Sequence, residues 1–271
     1  MTKEIVKHYT EAFDEARRLD DRIGPFEYER TTEIISRYLD RKQLRVIDVG
    51  GGTGTYALWL TEQGHLVHIV DLVPRHISIV MAKAKDQSLN LGSAILADAR
   101  SLPFGNHVAD CVLLMGPLYH LNDRNDRLQA LRESGRVVRK GGRVLCTAIS
   151  RFASMLAGFR FSRFNDPDFE AIVDKDLCDG QHRNADQASR HLGNAFLHKA
   201  DELRQEIESS GLVCEKIVGI EGPFGLLSRL EDWIQERGRM YQLALKYARR
   251  IEEEEGLLGA SFHLMGVARL P

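Results

Sequence analysis

The sequence predicts an α/β fold, a mostly parallel sheet with helices on both faces. Three observations lead there. Short apolar runs alternate with helix-like stretches: Arg45–Val49, Leu66–Val70, Ala94–Ala97, Ala109–Met115 and Arg143–Ile149. A glycine-rich break, Gly50-Gly51-Gly52-Thr53-Gly54, separates the first run from the helical pattern Tyr56-Ala57-Leu58-Trp59-Leu60. Carboxylates follow the second and third runs directly, at Asp71 and Asp98. Near-continuous apolar strands separated by helices are the mark of a sheet buried on both sides.

The glycine break reads as strand, tight turn, helix. Glycine lets the backbone take positive φ and approach a ligand with no Cβ between them. The helix that follows points its free N–H groups at the same place. Gly52 to Ala57 also satisfies a dinucleotide-binding pattern with Ala in the last position, so the turn alone leaves the nucleotide open. Asp71 stands 19 residues after Gly52, where a carboxylate can accept hydrogen bonds from both hydroxyls of a ribose.

Composition sets the limits. The 271 residues suit one domain with an insertion. A net charge of −2 argues against a strongly electrostatic nucleic-acid binder. No apolar run reaches the ~18 residues of a membrane span. The start, Met1-Thr2-Lys3-Glu4, has no apolar signal core. The four cysteines stand apart, and Cys111, Cys146 and Cys214 lie in apolar strand patterns, so they read as reduced thiols. A cytoplasmic protein, monomeric or homodimeric, is the expectation.

The full series of strand ends resembles the class I S-adenosylmethionine-dependent methyltransferases, in the branch that acts on small molecules. The likeness is close over residues 44–150 and looser over 199–271. It rests on Asp48 and the glycines, on Asp71, on Asp98-Ala99, and on the run Met115-Gly116-Pro117-Leu118-Tyr119-His120. It implies a Rossmann-like seven-stranded sheet of order 3-2-1-4-5-7-6, with the last strand antiparallel. S-adenosylmethionine would be the cofactor, S-adenosylhomocysteine the product and a small molecule the acceptor. The implied cofactor contacts are Asp48, Gly50, Gly51, Gly52, Asp71, Leu72, Asp98, Ala99, Met115 and Gly116. Asp48 would bond the turn amides and the cofactor amino group. Asp98 would take the adenine amino group, and the Ala99 amide a ring nitrogen. His120 would act as base or orient the acceptor, and Tyr119 would line the methyl channel.

Taken in order, residues 1–43 form a helical flap over the cofactor. Its candidates for the methionine end are Tyr9, Phe13, Tyr28 and Arg30, with Arg30 placed to pair with the cofactor carboxylate. The core at 44–150 holds the strands above, with Pro74 starting a helix whose His76 faces solvent and Asp123 capping another. Residues 151–198 break the alternation. They are rich in Phe, Arg, Asp and His and read as a helical lid over the acceptor. His182, His191, Asp166 and Asp168 lack metal-ligand spacing, and no metal is expected. Residues 199–271 complete the core: a helix stopped by Gly211, strand six at 212–220, a helical insertion at 226–256, and a final strand over 261–270. The glycine turn and Asp71 equally suit an NAD(P)-dependent oxidoreductase, and a non-catalytic S-adenosylmethionine-binding protein is the third reading.

Overall fold

The computed structural model describes residues 5–6, 9–10, 19–20, 22–39, 41–184 and 193–271. Phe13 and His191 lie outside them. The core strands are β1 (Arg45–Val49), β2 (Leu66–Asp71), β3 (Ser93–Leu96), β4 (Ala109–Leu114), β5 (Val138–Ser150), β8 (Val213–Gly219) and β9 (His263–Arg269). Between β5 and β8 come two short strands, β6 (Gln181–His182) and β7 (Ala195–His198). β3, β2, β1, β4 and β5 lie side by side and parallel. β9 runs antiparallel between β5 and β8. That path is the expected 3-2-1-4-5-7-6. The sheet nevertheless has nine strands rather than seven. The two extra strands come from the insertion: β7 pairs in parallel with the last residues of β5, Ile149 and Ser150, and β6 pairs with β7.

The helices are α1 (Gly24–Ser36), α2 (Thr55–Glu62), α3 (Pro74–Asp86), α4 (Pro117–His120), α5 (Arg124–Val137), α6 (Ala153–Arg160), α7 (Pro167–Asp179), α8 (Ala200–Ser209), α9 (Leu230–Glu236), α10 (Arg239–Ile251) and α11 (Glu255–Leu258). Successive strand residues point to opposite faces, and the core divides accordingly. Ile47, Val49, Val112 and Leu114 pack with Leu131 of α5 and with Leu203 and Ile207 of α8. Val46, Cys111 and Leu113 pack with Ile34 and Ile35 of α1, Tyr56 and Ala57 of α2, and Val80 of α3. Asp48 shares the face of Val46, so strand alternation alone carries its carboxylate into an apolar layer.

Local signals hold where they are steric or capping. Asp123 caps α5 by accepting from Asn125 N at 2.7 Å. Gly211, at φ +89°, follows the end of α8. The 226–256 region is interrupted rather than continuous: Arg237 takes φ +50° between α9 and α10. Leu230, Ile234, Tyr241 and Leu245 from these helices pack on Phe26 of α1. No helix among the described residues is long and apolar enough to cross a membrane.

Arg30 and Tyr28 do not take the cofactor positions expected of them. Arg30 is fully buried between α1 and the C-terminal helices. Its Nε donates to Ile220 O at 3.2 Å, Nη1 to Glu33, and Nη2 to Glu252, which also binds Arg37. A guanidinium so committed has no fork left for a ligand. Tyr28 stacks on Tyr56 at 6.1 Å and borders a separate hollow with Leu19, Pro25 and Thr55. We predict that Arg30→Met lowers the unfolding free energy by about 3–5 kcal/mol, because it leaves Glu252 buried beside a lost partner. Urea denaturation measures this; unchanged stability together with lost cofactor affinity would restore Arg30 to the binding site.

Candidate functional site

The carboxyl ends of β1, β2, β3 and β4 open onto one cleft of about 770 Å³, its mouth included. Four segments of the core line it: Val49, Gly50 and Gly52; Asp71–Val73 with His76; Ala97–Arg100; and Met115–Pro117 with Tyr119–Leu121. Ile5 and Tyr9 of the N-terminal segment close one side. In open α/β sheets ligands bind at these strand ends.

The glycine turn is held from two directions. Gly50 N and Gly51 N donate to Val70 O, at 2.8 and 3.3 Å. Gly52 N donates to Asp71 Oδ2 at 2.9 Å. At Gly50, φ is +70°, and a Cβ would stand 2.6 Å from Pro117 Cδ. Only glycine therefore lets the first turn lie against the fourth. Asp71 also accepts from Val73 N at 2.8 Å and bonds His76 Nδ1 at 3.0 Å, both through Oδ1. His76 is buried rather than facing solvent. It occupies the first turn of α3, which Pro74 starts, and that turn folds its ring back over Asp71.

Asp48 behaves differently from its expected role. The turn amides go to Val70 and Asp71, not to Asp48. Its carboxylate lies beneath the turn, where a Cβ on Gly51 would meet Asp48 Oδ2 at 2.7 Å. Neither oxygen has a hydrogen-bond partner among the described residues. Burial raises its pKa, and the Asp71 charge raises it further, to about 7. The Ala57 backbone opposes the shift without a hydrogen bond of normal geometry. Neither Asp48 nor Gly51 lines the cleft.

Asp98 lines the cleft with its carboxylate braced by Arg100. Arg100 Nε and Nη2 reach its two oxygens at 3.0 and 2.6 Å, and Arg100 N donates to Oδ1 at 2.9 Å. The guanidinium holds the Asp98 carboxyl below its usual range. Arg100 is anchored in turn to Asp126 at 2.8 Å.

At the fourth strand end, His120 closes α4. Its Nε2 is 2.7 Å from Tyr9 Oη. The Tyr9 ring meets both His76 and His120 edge-on, at 5.3 and 5.4 Å. Tyr119 packs on His120 at 4.6 Å. Tyr9 thus joins the N-terminal segment to the second and fourth strand ends. Among the described residues of 151–198 none lines the cleft. Arg151 is instead tied to Glu202 at 2.7 Å, Ser154 and His182 to Asp176, and Gln181 to Asn122 O at 3.2 Å. Sequence reasoning missed Ile5, Val73, His76, Arg100 and Leu121. Arg100, two residues beyond Asp98, and His76, five beyond Asp71 in the first turn of a helix, were the signals within reach.

A family model described as a methyltransferase domain matches residues 47–146, the stretch that carries all four of these strand ends. Over that stretch the chain resembles the class I S-adenosylmethionine-dependent methyltransferases. It is similar to the ubiquinone/menaquinone biosynthesis C-methyltransferase UbiE of Haemophilus ducreyi, with 29% identity over 63% of this chain and 65% of that one. It is also similar to methyltransferase GfsG of Streptomyces halstedii, with 32% identity over 43% of this chain and 42% of that one. In both cases the chain spans less than two thirds of the relative's length. The solved magnesium protoporphyrin IX methyltransferase of Synechocystis PCC 6803, with SAH bound, shares the fold at a TM-score of 0.62 and 15% identity, each chain covered in full. A carboxylate under the glycine turn with no partner among the described residues has a measurable consequence. Asp48 has a native pKa above its unfolded value, so the native state holds its proton more tightly. Asp48 therefore favours folding at low pH and ceases to do so as pH rises from about 4 to about 7. Asp48→Asn should flatten that decline and stabilise the protein at pH 8. Urea melts of both proteins from pH 5 to 8 test it; parallel curves would mean that Asp48 has a partner.

Proposed function

We propose that the chain transfers a methyl group from S-adenosylmethionine to a small-molecule acceptor. The observation that carries the reading is the convergence of a ligand-shaped set of acceptors on one cleft: Asp71 beside the glycine turn, Asp98 on β3's exit, and the Met115–His120 run opposite. The residues fit the cofactor. An ionised carboxylate has about four lone-pair sites. Asp71 already receives three donors, so one further site on Oδ2 remains for a ribose hydroxyl. That is half the capacity expected from sequence, as long as His76 keeps its bond. Asp98 likewise retains one site on Oδ2, suited to the adenine amino group. Gly50 and Gly52 leave room for the backbone to approach the methionine portion. Asp48, when ionised, adds negative charge from below, through space rather than by contact.

When bound, the sulfonium of the cofactor supplies an already activated methyl group. The protein's work is therefore alignment, which can contribute roughly 7–11 kcal/mol to lowering the barrier. Tyr119, His120 and Tyr9 stand where an acceptor would be aligned. His120 can take a proton from the acceptor once Tyr9 Oη gives up Nε2, or it can hold the acceptor through the Tyr9 hydroxyl. Ile5 and Tyr9 exclude water from one side of the cleft. Similarity to a quinone-pathway C-methyltransferase and to methyltransferase GfsG supports a small acceptor.

S-adenosylmethionine at 100 times its dissociation constant should stabilise the fold by about 2.7 kcal/mol, and nicotinamide dinucleotides should not. Asp71→Ala should weaken binding about tenfold or more, since it removes a charged acceptor and loosens the turn. Calorimetric titration of both proteins decides the point: stabilisation by NAD(P) alone would replace this reading with a Rossmann-type oxidoreductase, and binding without methyl transfer to any of a broad metabolite panel would favour a non-catalytic cofactor binder.

A further inference from the structure

Three guanidinium groups surround one ring at the carboxyl edge of the sheet. The Cζ atoms of Arg22, Arg160 and Arg163 lie 4.8, 5.0 and 5.7 Å from the centroid of Phe161. Phe161 stacks on Phe262 at 6.3 Å. Phe262 immediately precedes β9, and both rings pack in a cluster with Ile149 near the end of β5. The group therefore stands over the end of β5 and the start of β9.

Strand register relates this place to the cleft. Leu114 pairs with Cys146, and Ile149 pairs with His263. His263 is thus level with the chain three residues beyond Leu114, at Pro117. The lateral step from β4 across β5 to β9 is roughly 10 Å. This edge is therefore a neighbour of the strand exit that carries Tyr119 and His120.

Among the described residues the charges here are unbalanced. Arg160 Nη2 pairs with Glu231 at 2.6 Å. Among the described residues, no carboxylate pairs with Arg22 or Arg163. Arg160 Nε is buried with no acceptor. Burial and the neighbouring Arg22 charge both hold the Arg163 pKa below its ordinary value. A ring face attracts a cation, but it offers no hydrogen-bond acceptor in its plane and does not cancel the repulsion between guanidiniums. What the cluster lacks among the described residues is an anion to match its forks, and planar guanidinium forks suit carboxylate and phosphate oxygens.

We propose that Arg22, Arg160 and Arg163, gathered around Phe161, form a subsite for an anionic group, carboxylate or phosphate, attached to the apolar body of the methyl acceptor. The subsite rests on the methyl-transfer reading for its occupant, but its anion preference can be measured separately. Arg163 and Arg22 supply the uncommitted forks. Phe161 supplies the face on which the apolar body rests.

The test is calorimetric titration of the full chain, saturated with S-adenosylhomocysteine, with benzoate, phenyl phosphate and neutral benzyl alcohol. Benzoate or phenyl phosphate should bind about tenfold or more tightly than benzyl alcohol, and the better of the two identifies the group. Arg163→Gln and Arg22→Gln should each remove about that advantage, while affinity for S-adenosylhomocysteine, which also reports folding, stays the same. Phe161→Leu should weaken all three probes. Arg41→Gln, whose side chain pairs with Asp110 far from β9's start, should change nothing. Equal binding of charged and neutral probes, or charged binding that survives both arginine substitutions, overturns the subsite. If the wild type discriminates as expected but does not bind S-adenosylhomocysteine, the methyl-transfer reading falls and the anion site stands.

Discussion

The site depends on the carboxylate of Asp71. It binds three groups around the cleft: the amide of Gly52 in the first turn, the amide of Val73 behind the second strand, and the imidazole of His76 on α3. Without it the glycine turn would lose an acceptor within reach, and a buried N–H would go unsatisfied. With it, a glycine-rich segment that has maximal backbone freedom is held in one shape. The same bonds limit what Asp71 can offer a ligand. An acceptor that organises its own site has fewer lone pairs left for binding, and that trade sets the expected ribose contact at one rather than two.

Asp48 shows the opposite condition. Strand alternation turns it into the apolar layer with Val46, and the turn amides that would have satisfied it are already taken by Val70 and Asp71. Its raised pKa follows from burial and from the nearby Asp71 charge. Two carboxylates at one strand-end crossing therefore divide the work. The bonded one shapes the turn, and the one without a partner among the described residues lies in the apolar layer beneath it. Arg30 illustrates a related point. A lone arginine in an N-terminal helix looks free in sequence, yet the C-terminal helices bring Glu252 to it across 222 residues.

The described residues of the insertion after β5 add to the sheet rather than line the cleft. β7 takes the hydrogen bonds left open by the last two residues of β5, and internal pairs such as His182–Asp176 and Arg151–Glu202 use its polar groups. The residues that close the cleft come instead from the N-terminal segment, at Ile5 and Tyr9. The insertion's contribution lies at the neighbouring edge, where its arginines meet the start of β9.

The sequence by itself determined the parts governed by short-range physics. Apolar runs of strand length, helical spacing between them, glycine where φ is positive, a capping aspartate and a stop at Gly211 all act within a few residues of chain. They sufficed for the strand order once the resemblance supplied the topology, and for placing Gly50, Gly52, Asp71, Leu72, Asp98, Ala99, Met115, Gly116, Tyr119 and His120 around one cleft. Tertiary structure alone decided the pairings between distant polar groups: His76 turned inward to Asp71, Arg100 clamped on Asp98 and Asp126, Arg30 neutralised by Glu252, and Tyr9 brought to His120 across 111 residues. The physical reason is that a charged or polar side chain in sequence carries no record of its partner. Its role is set by whichever acceptor or donor the packed elements place within about 3 Å once water has been excluded.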